Sequence, residues 1–177
     1  NVFSVINRFR KNIIVKGAAV GNNLSTFIDI FPNAKFIFYK REPLFVAQSL
    51  LAETRKLKVN FEDAWMQRIR PYNYKIIKNA NSIYQKIALY IHALYLQNSK
   101  DQARVNGLNF IQMSYEELST NPKLTFDRLG NFLYSKQKNS KDIMIPDLKN
   151  LNIQKIEDKH FYSLQEEIEK LDWTNIL

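Results

Sequence analysis

The sequence contains no cysteine and only four glycines among its 177 residues. The absence of cysteine excludes disulfide bonds, thiol catalysis and thiolate metal sites, although it identifies no cellular compartment. None of the glycines, Gly17, Gly21, Gly107 and Gly130, stands in a G-x-x-x-x-G-K-[ST] phosphate-binding loop. No apolar run reaches the roughly 18–20 residues that are needed to span a bilayer.

Histidine is also scarce, which argues against a metal site. The two histidines, His92 and His160, are far apart in the sequence and belong to no cluster with metal-ligand spacing. The carboxylates at 62–63 and at 116–117 are adjacent pairs, and adjacent residues of a helix or strand do not face each other. The sequence therefore predicts neither a metal centre nor an acid/base dyad at these positions.

The composition is that of a folded domain with an excess of positive charge. Hydrophobic residues make up 45% of the chain and aromatic residues 13%, which favours one globular domain over 1–177. The net charge is +9, and residues 1–60 hold ten Lys and Arg against three Asp and Glu. This charge would attract a phosphorylated nucleotide or an anionic acceptor, or it is an ordinary solvated surface. No nucleic-acid-binding signature accompanies it, so no nucleic-acid partner is expected.

The most informative segment is a strand followed by a helix. Lys35–Tyr39 alternates and carries bulky β-formers, so it predicts a buried strand. Pro43 suits the first turn of a helix, and an amphipathic run follows over Leu44–Leu51. Arg41 would then leave the carboxyl end of the strand, with Ser49 about two turns into the helix. Ligands bind at this end of an open α/β sheet, and a guanidinium beside a hydroxyl suits a phosphate.

The rest of the chain predicts further strands and helices in alternation. Apolar spacing indicates short strands over 12–15 and 108–113, and helices over 24–31, 61–69, 72–97, 122–134 and 163–171. Residues 57–60 are predicted to form a loop, and 135–150 is polar and turn-rich. Strands that alternate with helices imply an α/β fold in which helices cover a parallel sheet.

The segment around Arg41 resembles the sulfotransferase family, whose enzymes use 3′-phosphoadenosine 5′-phosphosulfate as donor. The resemblance is carried by Arg41-Glu42-Pro43, by Ser49 eight residues after the arginine, and by the preceding FPNAKFIF. It implies that Arg41 and Ser49 bind the 3′-phosphate of the donor. A second similarity, SYEEL over 114–118 followed by Asn121-Pro122 and LGNFL, resembles the family's Tyr-Glu-Asp-Leu segment. It implies that Tyr115 lies near the adenine, whereas its alternative role is that of a core tyrosine.

The family's Gly/Ser/Thr-rich phosphosulfate loop has no counterpart in this sequence. The resemblance implies a P-loop nucleotide-kinase-like fold, of which residues 1–177 would form the C-terminal two-thirds. We therefore expect an N-terminally truncated sulfotransferase domain, with the loop upstream of Asn1. A relative that lacks the loop altogether is the alternative.

Lys16 is the one candidate for a catalytic role. The cytosolic branch of the family has Lys-x-His at the corresponding place, and Lys16 lies 25 residues before Arg41, a separation similar to the family's. By that resemblance the Lys16 ammonium would stabilise charge on the bridging oxygen during transfer. Position 18 is alanine, so this branch's histidine base is absent. Lys16 could equally be an ordinary surface lysine.

The resemblance implies a sulfotransferase that moves a sulfonate from 3′-phosphoadenosine 5′-phosphosulfate to a hydroxyl or amine acceptor. The acceptor would be a small molecule or a glycan, and no metal is implied. The alternative is a non-catalytic relative that binds a nucleotide or polyanion through Arg41 and lacks the chemistry. The sequence leaves the acceptor, the catalytic base and the oligomeric state open.

Overall fold

The fold combines a small parallel sheet with packed helices. The computed structural model describes residues 14–17, 23–66, 69–105, 107–134, 148–174 and 176. In chain order its elements are α1 (Leu24–Ile30), β1 (Phe36–Lys40), α2 (Pro43–Leu57), a π-helical turn (Glu62–Met66), α3 (Tyr74–Lys78), α4 (Ile83–Gln102), a 3₁₀ turn (Gly107–Asn109), β2 (Phe110–Ser114), α5 (Tyr115–Thr120), α6 (Pro122–Tyr134) and α7 (Asp158–Glu169).

The two strands are parallel and equal in length. Their register pairs Phe36 with Phe110 at one end and Lys40 with Ser114 at the other. Parallel strands that end in register deliver the next residue of each chain segment to the same edge. The residues that follow β1 and β2 therefore emerge side by side at the carboxyl end of the sheet.

The core lies among α2, α4 and α7, next to the sheet. Its buried residues are apolar: Ala47, Leu51, Phe61, Met66, Ile77, Ile87, Ala88, Tyr90, Ile91, Ala93, Leu164 and Ile168. Phe61 and Tyr90 pack edge to face, with ring centroids 5.3 Å apart. Phe38 of β1 packs edge to face on Tyr95 of α4 at 6.1 Å, so the sheet is attached to the helical core through aromatic contacts.

Several predicted elements are confirmed. β1 lies within one residue of the predicted strand, and α1 ends one residue before the predicted helix end. Pro43 is the first residue of α2, as expected for a residue with no N–H to donate. Asn121 precedes α6, and its side-chain oxygen accepts the Leu124 N–H at 3.3 Å.

The predicted single helix over 72–97 is wrong. The segment forms two helices, α3 and α4, interrupted at residues 79–82. The Ser82 hydroxyl accepts the Gln85 N–H at 3.1 Å, and the Gln85 side chain accepts the Asn81 N–H at 2.8 Å. The Ser82 bond satisfies an N–H group in the first turn of a new helix, and the Gln85 bond fixes the residue before its cap, so the polar residues begin α4 instead of continuing α3.

Other boundaries also differ from the predictions. α2 extends to Leu57, where Lys58 ends it in the left-handed conformation with φ 53°. α7 begins at Asp158, five residues before the predicted start. α5 was not predicted, and it forms because Ser114 and Glu117 make a reciprocal capping box directly after β2.

The predicted N-terminal strand over 12–15 is described only in part. Ile14 and Val15 lie outside any strand, and they are 88% and 64% exposed, so the buried strand is not found at these two positions. A strand requires a paired neighbour, and β1 pairs with β2 in the described residues. Residues 12–13, and 135–147 of the polar segment, lie outside the described residues.

The fold class is α/β with a parallel sheet, as predicted, although the described sheet has only two strands. Helices make up most of the described chain. No helix in these residues combines the length and the apolar character needed to cross a bilayer.

Candidate functional site

Arg41 lies at the carboxyl end of β1, where its backbone is fixed by α4. The Tyr95 hydroxyl accepts the Arg41 N–H at 3.2 Å and donates to the Arg41 carbonyl oxygen at 2.7 Å. Burial raises the pKa of Tyr95, and the hydrogen bond from the Arg41 backbone opposes that rise. The tyrosine thus remains a neutral donor that sets the position of Arg41.

The Arg41 guanidinium stacks on Tyr115, the residue that follows β2. Its central carbon lies 4.6 Å from the centroid of the Tyr115 ring and 5.9 Å from that of Phe45. The strand register explains this pairing, because Arg41 and Tyr115 directly follow the paired residues Lys40 and Ser114. The sheet therefore brings together two of the predicted site residues that are 74 positions apart in the sequence.

The edge of the Arg41 guanidinium is hydrogen-bonded to a segment that precedes α7. Nε donates to Asn152 Oδ1 at 2.7 Å, and Nη2 donates to the Leu151 carbonyl oxygen at 3.2 Å. Two oxygens side by side against a guanidinium is the arrangement that carboxylates and phosphates also adopt. The arginine is therefore held in a geometry that suits an oxyanion.

Glu116 provides negative charge next to this arginine. Its Oε1 accepts the Glu42 N–H at 3.0 Å and the Asn152 Nδ2 at 2.6 Å. Burial alone would raise the pKa of Glu116, but these hydrogen bonds and the charge of Arg41 lower it overall. Burial and then the Glu116 charge raise the pKa of Glu42, against the opposing effect of Arg41.

An open cavity of about 460 Å³ lies at this edge of the sheet, and two of its lining residues, Tyr115 and Leu151, also contact Arg41. Its lining is largely apolar and includes two tyrosines. The lining residues are Tyr39, Tyr115, Leu118, Ser119, Leu148, Lys149 and Leu151. Burial, followed by the charges of Glu116 and Tyr115, raises the pKa of Tyr39. Apolar and aromatic walls beside a guanidinium suit a ligand with a flat ring and an anionic group.

Ser49 is exposed on α2, and its hydroxyl donates to the Phe45 carbonyl oxygen at 2.8 Å. That bond within its own helix is the ordinary role of a helical serine. No contact between Ser49 and Arg41 is found in the described residues. Of the two residues predicted to bind one phosphate, Arg41 lies at the candidate site, whereas the Ser49 hydroxyl bonds a carbonyl group of its own helix.

Lys16 lies in an exposed segment without helix or strand. In the described part of the chain, no contact joins Lys16 to Arg41 or to the cavity. Its predicted part in sulfonate transfer stays a prediction.

Sequence reasoning missed three residues that shape this site. The sequence predicts Tyr39 only as a strand residue and Glu116 only as one of two adjacent carboxylates, and it gives no indication of Asn152. Asn152 follows a polar stretch and lies 111 residues from Arg41 in the sequence. No local pattern carries information on a contact of that separation, so only the folded structure reveals it.

The described ranges contain no group of three or more histidine, aspartate and glutamate side chains that could hold a metal ion. Comparison with protein-family models, with curated proteins and with solved structures finds no match to this chain. The fold and the site thus define an α/β domain with an arginine–tyrosine pair at the carboxyl end of a parallel sheet.

Proposed function

We propose that this chain is a sulfotransferase that uses 3′-phosphoadenosine 5′-phosphosulfate, and that Arg41 binds the 3′-phosphate of this donor. The observation that carries the proposal is the Arg41 guanidinium stacked 4.6 Å from the Tyr115 ring at the carboxyl end of two parallel strands. That edge is where α/β sheets bind ligands, and a guanidinium with a fixed backbone suits a phosphate.

The neighbouring cavity supports a nucleotide as the ligand. Its volume of about 460 Å³ and its tyrosine-containing lining suit an adenine ring, with Tyr115 shared between the cavity and Arg41. Lys149 is also a lining residue, and its side chain would add positive charge for a phosphate group. The acceptor, a small molecule or a glycan, would supply the hydroxyl or amine that attacks the sulfonate.

Sulfonate transfer is proposed to proceed by in-line displacement. The acceptor oxygen or nitrogen forms a bond to sulfur, while the bond from sulfur to the bridging phosphate oxygen breaks and that oxygen takes the electron pair. Lys16 is the candidate that would stabilise this oxygen, and a base outside the residues assigned so far would take the acceptor proton.

Calorimetric titration with adenosine 3′,5′-bisphosphate tests the proposal. We expect Arg41→Ala to weaken binding by roughly 2–3 kcal/mol, the scale of a lost charge-assisted contact in a partly buried site. Arg70→Ala is the matched control, because Arg70 also stacks on a tyrosine, 4.4 Å from the Tyr74 ring, but away from β1. Equal affinity of the wild type for adenosine 5′-monophosphate would contradict a site for the 3′-phosphate.

The alternative is a non-catalytic protein that binds a nucleotide or polyanion. It is favoured by one observation, the exposed position of Lys16 in a segment without contacts to Arg41 in the described residues. Transfer of labelled sulfonate from the donor to phenol, amine or glycan acceptors separates the two functions. Binding of adenosine 3′,5′-bisphosphate without any transfer would favour the alternative.

A further inference from the structure

A short segment of the chain covers the carboxyl end of the sheet. We call residues 148–155 the strap. The Tyr115 hydroxyl accepts the Leu151 N–H at 2.9 Å and donates to the Lys149 carbonyl oxygen at 3.4 Å. Together with the two hydrogen bonds from Arg41, these contacts hold the strap directly on the candidate site.

The strap occupies one whole side of the Arg41 guanidinium. Nε and Nη2 form the pair of donors that grips a carboxylate or phosphate, and both point to carbonyl oxygens of the strap. The Asn152 amide is oriented by its neighbours, since its oxygen faces an obligate donor and its nitrogen faces the Glu116 carboxylate. Two neutral carbonyl oxygens thus take the positions that an oxyanion would take.

A second attachment of the strap does not involve Arg41. Gln48 of α2 is only 2% exposed, and its Nε2 donates to the Ile153 carbonyl oxygen at 3.0 Å. Its Oε1 accepts the Lys155 N–H at 2.6 Å. This pair of bonds holds residues 153–155 on α2, so the preceding part of the strap can leave Arg41 without detaching the whole segment.

We propose that the Leu151 carbonyl oxygen and the Asn152 side chain are an internal competitor, which occupies Arg41 in the free protein and must turn away from the guanidinium when an anion binds there. This inference rests on the proposed donor-binding function. Neutral carbonyl oxygens bond a guanidinium more weakly than a phosphate does, so an entering phosphate can replace them. The Gln48 attachment keeps the displaced residues close, and they return when the ligand leaves.

The first test compares Asn152→Ala with Gln154→Ala by calorimetry. Asn152→Ala removes one oxygen that competes for Arg41, so adenosine 3′,5′-bisphosphate and inorganic phosphate should both bind about fivefold tighter. Gln154 is in the same strap, but among the described residues its side chain bonds the Ile156 carbonyl oxygen and Asp158 and not Arg41, so its alanine variant should bind both probes like the wild type. Unchanged or weaker binding by Asn152→Ala overturns the proposal, because Asn152 would then not compete with the ligand.

The second test needs no ligand and uses amide hydrogen exchange. Arg41→Ala should speed exchange at Leu151, whereas Lys155 should stay protected because Gln48 still accepts its N–H. The Leu151 N–H is donated to the Tyr115 hydroxyl, so an unchanged rate would show that the Arg41 bonds add nothing to this contact in holding the strap. That result would overturn the proposal even if the nucleotide binds.

The two proposals fail in distinguishable ways. If neither the wild type nor Asn152→Ala binds adenosine 3′,5′-bisphosphate or phosphate, both the proposed donor-binding function and the proposed internal competition for Arg41 are contradicted. If both bind the nucleotide with equal affinity, the competitor alone is overturned.

Discussion

The Tyr95 hydroxyl bonds both backbone groups of Arg41, accepting its N–H at 3.2 Å and donating to its carbonyl oxygen at 2.7 Å. One side chain of α4 thereby provides hydrogen-bond partners for the backbone N–H and carbonyl groups of the first residue after β1, where the hydrogen bonds between the two strands have ended. This contact links the helical core to the candidate site, since Tyr95 also packs on Phe38 and on Trp173.

Replacing Tyr95 by phenylalanine should destabilise the protein. The ring packing would remain, but the part-buried backbone groups of Arg41 would lose their partner, at a cost of about 1–3 kcal/mol. Urea denaturation measures the difference. Tyr72→Phe is the control, because Tyr72 is 61% exposed, and its effect should stay within about 0.5 kcal/mol. An equal effect of the two variants would contradict this role of Tyr95.

Ser49→Ala should distinguish a purely structural role of Ser49 from a role in ligand binding. The Ser49 hydroxyl is exposed and bonds the Phe45 carbonyl of its own helix, so its loss should change stability by less than about 0.5 kcal/mol. If the serine also binds the 3′-phosphate in the complex, affinity for adenosine 3′,5′-bisphosphate should fall while that for adenosine is unchanged. Calorimetry with both compounds makes the comparison, and equal affinities for wild type and variant would remove Ser49 from the site.

Leu51→Ala should be strongly destabilising. Leu51 is a residue of α2 that is 0% exposed in the hydrophobic core. Replacing a fully buried leucine by alanine typically lowers the free energy of unfolding by about 2–5 kcal/mol. Leu57→Ala is the matched control on the same helix, because Leu57 is its last residue and is 48% exposed. Urea denaturation of both variants should show a small effect for Leu57, and similar losses would contradict the packing of α2 on the core.

His160 should make the protein less stable in acid. Its Nδ1 lies 3.2 Å from Arg55 Nη2 and 2.7 Å from the Tyr84 hydroxyl. Arginine can only donate, so Nδ1 must accept and His160 must be neutral in this geometry. Burial, and then the charges of Arg55 and Lys159, lower the pKa of His160 below its usual 6.5, against the opposing charge of Glu157.

The sign of the pH dependence follows from that lowered pKa. Because the unfolded chain binds the proton more readily than the folded one, this stabilisation is present above about pH 6.5 and is lost as the pH falls through the folded pKa. Urea denaturation at pH 7.5 and pH 5 should show that the wild type loses more stability on acidification than His160→Gln does.

His92 differs from His160 in that its bonded ring nitrogen donates. Its Nε2 donates to the Asp172 carbonyl oxygen at 2.8 Å, and that bond persists when the ring is protonated. The chain has only these two histidines, so their imidazole signals can be followed separately by NMR. A His160 signal that titrates at or above pH 6.5 would contradict the proposed geometry.

Local sequence information determined the strand, the turn and the helix around Arg41. β-formers in alternation specify β1, Pro43 specifies the first turn of α2, and Asn121 with Pro122 specifies the start of α6. These signals depend on residues within a few positions, and for that reason they could be predicted from the chain alone. The same local rules missed the interruption between α3 and α4, where side-chain caps outweighed the continuing apolar period.

Tertiary structure alone decided which residues meet at the site. The sequence identified Arg41 and Tyr115, but it is the register of Lys40 with Ser114 that brings their side chains into contact. The hydrogen bond between Arg41 and Asn152 joins residues 111 positions apart, through a segment with no helix or strand. Contacts of this kind depend on how β2, α2 and the strap pack together, and packing follows from the whole core, which no short window of sequence contains.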